Sequence, residues 1–209
     1  MSSVIEDTAV VRAGNVRRGR LLEYFTLAWN LLEAVIAIFS GVVAGSISLV
    51  GFGIDSVIEC MSGGVLLWRL REGEHGDSRE RLALKLVGVS FLALAAYIAY
   101  EAIKSLIQHE PPAVSYIGIC IAALSLVVMP LLARAKRRVA TDIHSHALEA
   151  DARQSDLCAY LSAILLAGLV LNAIFGWWWA DPVAGLVMLP IIAKEGVDAL
   201  RGKACDDCH

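Results

Sequence analysis

Six apolar stretches divide the chain, at about Leu21–Val43, Ser46–Leu70, Leu82–Ile107, Tyr116–Ala133, Ala147–Phe175 and Pro182–Leu200. Each is close to the roughly 17–25 residues that carry an α-helix across the hydrocarbon of a bilayer, and together they leave little chain for anything else. The expected fold is all-α: a polytopic membrane protein with six transmembrane helices. Composition agrees, since 57% of the 209 residues are hydrophobic and only 19% are charged. The mean hydropathy of +0.64 lies outside the range of an ordinary soluble domain. A net charge of −3 says little, because in a membrane protein the place of each charge outweighs the sum. No nucleic-acid signature is present, and no nucleic-acid partner is expected; the lipid bilayer is the surrounding partner.

Basic residues set the orientation. Arg12 to Arg20, then Arg69, Arg71, Arg79 and Arg81, then Arg134, Lys136, Arg137 and Arg138, then Arg201 and Lys203 fall in every second connection. The connections around Gly45, Gln108–Ser115 and Gly176–Asp181 carry none. Lys and Arg accumulate on the cytoplasmic flank, so both termini are expected in the cytoplasm. The expected organisation is a polar basic tail over 1–20, a six-helix membrane domain over 21–200 and a short Cys/His tail over 201–209. The first 20 residues lack the apolar core and cleavage site of a removable signal. Short turns make neighbouring spans antiparallel hairpins, and Trp177, Trp178 and Trp179 fit an interfacial aromatic belt.

Asp55 and Glu59 break the apolar pattern of the second span. Four residues apart, they share one helix face, so both point at the same small volume rather than at lipid. Each charge left in hydrocarbon costs about 2.5–3.5 kcal/mol or more by insertion scales, which calls for a compensating metal ion or proton. The fifth span is the other polar one. Asp151, Gln154 and Cys158 fall on one stripe, whereas Glu149, Arg153 and Asp156 form a second, with an ion pair available between Glu149 and Arg153. If the second and fifth spans pack together, Asp55, Glu59, Gln154 and Cys158 supply two carboxylates, an amide oxygen and a thiolate. Four such ligands suit a tetrahedral divalent ion, and the mixture of carboxylate and thiolate favours Zn²⁺ over Mg²⁺ or Ca²⁺.

The stretch from Gly45 through Asp55 to Glu59, the run Ala150-Asp151 to Gln154 and Cys158, and Ala180-Asp181-Pro182 resemble the cation diffusion facilitator family of divalent-metal transporters. The resemblance spans essentially the whole membrane region. That family carries an acidic pair spaced by four on its second helix, which Asp55 and Glu59 match. On its fifth helix it carries His or Asp and then Asp, again spaced by four; here Gln154 and Cys158 stand at those positions. A register through Asp156 restores the acid but places Ala152 at the partner position. The expected ligands are therefore Asp55, Glu59, Gln154 and Cys158, with Asp151 first in reserve and Asp156 second.

The resemblance implies secondary transport: a divalent transition metal, Zn²⁺ in first place, leaves the cytoplasm in exchange for protons by alternating access. A carboxylate that binds either ion couples the two by direct competition. No nucleotide-binding motif is present, so an ATP-driven pump is disfavoured. The metal is substrate; no prosthetic group and no enzymatic activity are expected. The resemblance also implies a homodimer, a multi-pass location in the cytoplasmic membrane, and a membrane-domain-only relative without the family's usual cytoplasmic domain. The alternative is a membrane metal sensor or accessory subunit that binds through the same residues without transport.

Other polar residues have plainer readings beside sharper ones. Glu33, three residues after Asn30, either lines the pathway or makes a structural hydrogen bond to a neighbouring helix. Glu101 and Lys104 suit snorkelling to the interface. His75 and His109 are read as loop residues, and Cys60 and Cys120 as small apolar packers. Asp142, His144 and His146 either cap the fifth helix or capture metal before it enters. Cys205, Cys208 and His209 place two thiols and an imidazole within five residues, a tail suited to collecting soft metals.

Overall fold

The computed structural model describes residues 2–72, 77–143 and 146–201, with side chains described at 17–64, 67, 85–142, 148–149 and 151–201. Six helices fill it in chain order: α1 (Ser2–Ala44), α2 (Ile47–Glu72), α3 (Asp77–Gln108), α4 (Tyr116–Ile143), α5 (His146–Phe175) and α6 (Ala180–Leu200). Among the described residues there is no strand, so the all-α expectation holds. Even α6, at 21 residues, reaches about 31 Å at 1.5 Å per residue. Length and apolarity together qualify five helices as membrane spans; α6 differs in carrying Asp181, Lys194, Glu195 and Asp198.

The distribution of side chains is that of a protein solvated by lipid. On α1, Leu31, Val35, Phe39 and Val42 are 61, 62, 71 and 67% exposed, while Glu23, Thr26, Asn30 and Glu33 are buried on the opposite face. A soluble protein would invert this arrangement, since exposed apolar area costs free energy only against water. The apolar interior is built from Leu49, Phe52, Ile98, Met129, Leu165, Met188 and Ile192, all fully buried.

Local signals explain the hairpins. α1 ends in a Schellman motif: Ser46 N–H donates to Gly41 O at 2.9 Å and Gly45 N–H to Val42 O at 3.3 Å, with Gly45 at φ +66°. That left-handed backbone favours glycine. Ser46 then caps α2, its Oγ accepting from Leu49 N–H at 3.2 Å, and Ser115 caps α4 by accepting from Gly118 N–H at 3.1 Å. α1 packs on α2 and α4, α4 on α5, and α3 on α6, while α2 meets α5 over a short stretch only.

One expectation about charge is corrected, and α1 is seen to run without a break through the basic segment over 1–20. Arg134 to Arg138 do not belong to a connection: α4 continues to Ile143, which carries Lys136 into the bundle, where it is fully buried. Helical periodicity turned this one basic residue inward, away from its neighbours.

Candidate metal centre

Where α2 meets α5, the carboxylates of Asp55 and Glu59 and the thiol of Cys158 converge. One donor atom from each lies within 4.8 Å of the others, and all three residues are buried. Donors around a tetrahedral Zn²⁺ stand about 3.3–3.8 Å apart, given Zn–O near 2.0 Å and Zn–S near 2.3 Å, so a small contraction would suffice to grip one. Gln154 lies one turn before Cys158, half-buried, with its Oε1 accepting from Ser62 Oγ of α2 at 3.4 Å. The expected set is thus brought to one interface, with three members clustered and Gln154 at its edge.

α1 completes the walls. Asn30 Nδ2 donates to Glu59 Oε2 at 2.9 Å, which fixes that carboxylate, and Asn30 Oδ1 is buried without a partner. Glu33 faces Ser56 of α2 and Ser125 of α4, yet neither of its oxygens has a hydrogen-bond partner. Among the described residues no Lys or Arg lies within ion-pair distance of Glu33, Asp55 or Glu59. Three buried carboxylates without a cation are costly to hold ionised, so the cavity has capacity for a positive ion.

The reserve residues have other partners. Asp151 pairs with Lys136, which also lies 3.2 Å from Glu23 Oε2. Asp156 pairs with Arg137. Both therefore stand outside the cluster: Asp156 turns toward Arg137 of α4, and Asp151 sits two turns below Cys158. The Glu149–Arg153 pair forms at 3.1 Å as expected, and Glu101 and Lys104, read as snorkelling residues, also pair with each other at 3.3 Å. At the opposite end, Asp181 ties α6 to the start of α2. Its Oδ1 accepts from Ser46 Oγ at 2.6 Å and from Ser48 Oγ, and its Oδ2 from Ile47 N–H at 2.9 Å.

Residues 24–204 match the family model of the cation efflux transmembrane domain. The chain belongs to the cation efflux family. Relatives of this family extend across kingdoms. An uncharacterised transporter of Methanocaldococcus jannaschii is 31% identical over 195 residues, covering 86% of this chain and 69% of the relative. Transmembrane protein 163 of Xenopus laevis is 29% identical over 192 residues, covering 90% of this chain and 68% of that protein. A cadmium, cobalt and zinc/H⁺-K⁺ antiporter of Bacillus subtilis is 28% identical over 125 residues, or 58% of this chain and 39% of the relative. Family membership makes this chain a membrane transporter of metal cations.

Sequence reasoning missed Asn30, Glu23 and Lys136 as parts of this interior. A signal for the first two existed: Glu23, Thr26, Asn30 and Glu33 recur at i, i+3, i+7 and i+10, a polar stripe on an apolar helix. Lys136 had no such signal, since it stands in a run of basic residues. His75, His144, Cys205, Cys208 and His209 lie outside the described residues, as does the side chain of His146. Asp142 is exposed in the last turn of α4, and His109 takes φ 54° and packs its ring on Trp178 at 5.1 Å.

Proposed function

We propose that this protein exports a divalent transition-metal cation, Zn²⁺ in first place, from the cytoplasm in exchange for protons, with Asp55, Glu59, Cys158 and Gln154 as ligands. The observation that carries this reading is the convergence of two carboxylates and a thiol within 4.8 Å in a buried space. Oxygen and sulfur donors together suit a borderline ion, and the name of the Bacillus subtilis antiporter, which includes cadmium, cobalt and zinc, supports the same class of substrate. Gln154 joins by turning its amide oxygen from Ser62 toward Cys158, one turn along the same helix.

Exchange follows from competition at shared atoms. A carboxylate oxygen that holds a proton cannot also hold the metal, so protons arriving from outside release metal there, and metal arriving from the cytoplasm releases protons. Asp55 and Glu59 do both. Glu33, buried beside them without a hydrogen-bond partner, is a third proton carrier, which the metal does not need. In this reading the arginine-rich helix ends face the cytoplasm, and the protein acts as a homodimer in the cytoplasmic membrane.

The test is metal-driven proton movement in proteoliposomes with a trapped pH dye and a panel of Zn²⁺, Cd²⁺, Co²⁺, Mn²⁺ and Fe²⁺. A proton signal that vanishes in Asp55→Ala is the expected result and names the substrate. Silence across the panel, with metal still bound, overturns exchange and leaves a binding protein.

A further inference from the structure

Two turns below the metal centre, the same helices carry a second set of charges. Glu23 precedes Asn30 by seven residues on α1, and Asp151 precedes Cys158 by seven on α5. Both therefore stand about 10 Å closer to the arginine-rich ends of the bundle. Lys136 of α4 reaches between them. Its Nζ is 3.2 Å from Glu23 Oε2, pairs with Asp151 Oδ2 and stands 3.5 Å from Ser155 Oγ. α2 closes the remaining side at Gly63, where a Cβ would lie 2.5 Å from Glu23 Oε1 and 3.0 Å from Leu27. The Lys136 and Glu23 side chains are 0 and 1% exposed and that of Asp151 is 14% exposed, so the layer is buried except at the Asp151 edge.

A lysine is an expensive way to join four helices. Replacing a buried ion network by apolar side chains is often neutral or stabilising, which leaves stability a poor reason for this one. Its position is more informative, since it lies across the line from the basic ends to Asp55, Glu59 and Cys158. The network is also under-filled: two carboxylates surround one ammonium, and Glu23 Oε1 is buried without a hydrogen-bond partner. A pocket of this kind accepts a cation.

We propose that Glu23, Lys136 and Asp151 form the cytoplasm-side gate of the transport route. The Lys136 ammonium holds the place between the two carboxylates that a divalent cation takes as it crosses this layer, and the gate opens when Lys136 leaves. The proposal rests on reading the centre as the transport site and the basic ends as cytoplasmic.

The test uses the full chain in sealed vesicles with Cys60, Cys120, Cys205 and Cys208 replaced by Ala, so that Cys158 is the single thiol. A small membrane-impermeant cationic methanethiosulfonate is added to either face. With Lys136 present, Cys158 reacts slowly from the face bearing the basic helix ends. Lys136→Met raises that rate roughly tenfold or more, the change expected when a closed population loses its latch, and leaves the rate from the other face unchanged; Lys136→Arg stays slow. Because Lys136→Met strands two carboxylates and can unfold the chain, the charge-free triple variant Glu23→Gln, Lys136→Met, Asp151→Asn is run beside it, with the same acceleration expected. Unchanged rates in the folded triple variant, or acceleration from the opposite face, overturn the gate. Protection of Cys158 by Zn²⁺ in permeabilised vesicles separates the two readings. Protection without any effect at Lys136 overturns the gate and leaves the metal centre standing, whereas no protection overturns the centre and the gate with it.

Discussion

Two buried clusters of carboxylates lie about 10 Å apart along the same helices, and they are neutralised differently. Glu23 and Asp151 share the ammonium of Lys136, supplied by the chain itself. Glu33, Asp55 and Glu59 share no basic side chain among the described residues; Glu59 accepts from the neutral amide of Asn30. Asp181, at the other end of α2, shows a third solution, with two hydroxyls and a backbone N–H around one carboxylate. The lower cluster carries a cation of its own in Lys136, although Glu23 Oε1 is left without a hydrogen-bond partner, whereas the central cluster has none among the described residues.

The largest effect that can break this comparison is at Asp55. Asp55→Ala is expected to reduce metal-driven flux to background, a loss beyond the roughly 10–100-fold that removing a mere partner of a ligand costs. Without metal the variant should be as stable as the wild type or more so, because it removes a buried charge that has no counter-charge. Lys136→Met is expected to act in the opposite sense on stability. Taking one partner from a buried ion network costs about 3–5 kcal/mol, read as a lower thermal midpoint in detergent, and the triple variant that also neutralises Glu23 and Asp151 should recover most of it. Equal destabilisation by Asp55→Ala and Lys136→Met would make the central acids structural and erase the distinction.

Most of the architecture was legible because bilayer spans are long, apolar and bounded by charge, so six helices and their turns could be read from hydropathy and Gly45 alone. The acidic pair of α2 was legible for the complementary reason: nothing in an apolar helix hides Asp55 and Glu59. Where charge is dense, the same reading lost resolution. Lys136 sits among Arg134, Arg137 and Arg138, and only the pitch of a helix that continues beyond the apolar run turns it inward. Asp151 shares a stripe with Gln154 and Cys158, but a stripe extends the length of a helix, and seven residues separate the site from the gate layer. Partner helices, which periodicity does not identify, decide between those levels.

A smaller effect sharpens the central site. Asn30→Ala frees Glu59 Oε2 from its 2.9 Å hydrogen bond, and loss of such an orienting partner typically lowers metal affinity roughly 10–100-fold. Titration calorimetry in detergent should show weaker Zn²⁺ binding with an unchanged number of sites. A changed number of sites would mean that Asn30 is itself a ligand through its free Oδ1.

The smallest effect is expected at Asp156, and it bears on which register of α5 faces the metal. Asp156 pairs with Arg137, and the two side chains are 30 and 46% exposed. An ion pair this open contributes about 0–1 kcal/mol, so Asp156→Ala should shift the thermal midpoint little and leave most metal-driven flux intact. The comparison with Asp55→Ala is direct, since both remove one carboxylate from a membrane helix. A collapse of flux in Asp156→Ala to the level of Asp55→Ala would show that α5 turns during the cycle to present an acid to the metal. Arg137 would then do at Asp156 what Lys136 does at Asp151: hold the place of an ion that arrives later.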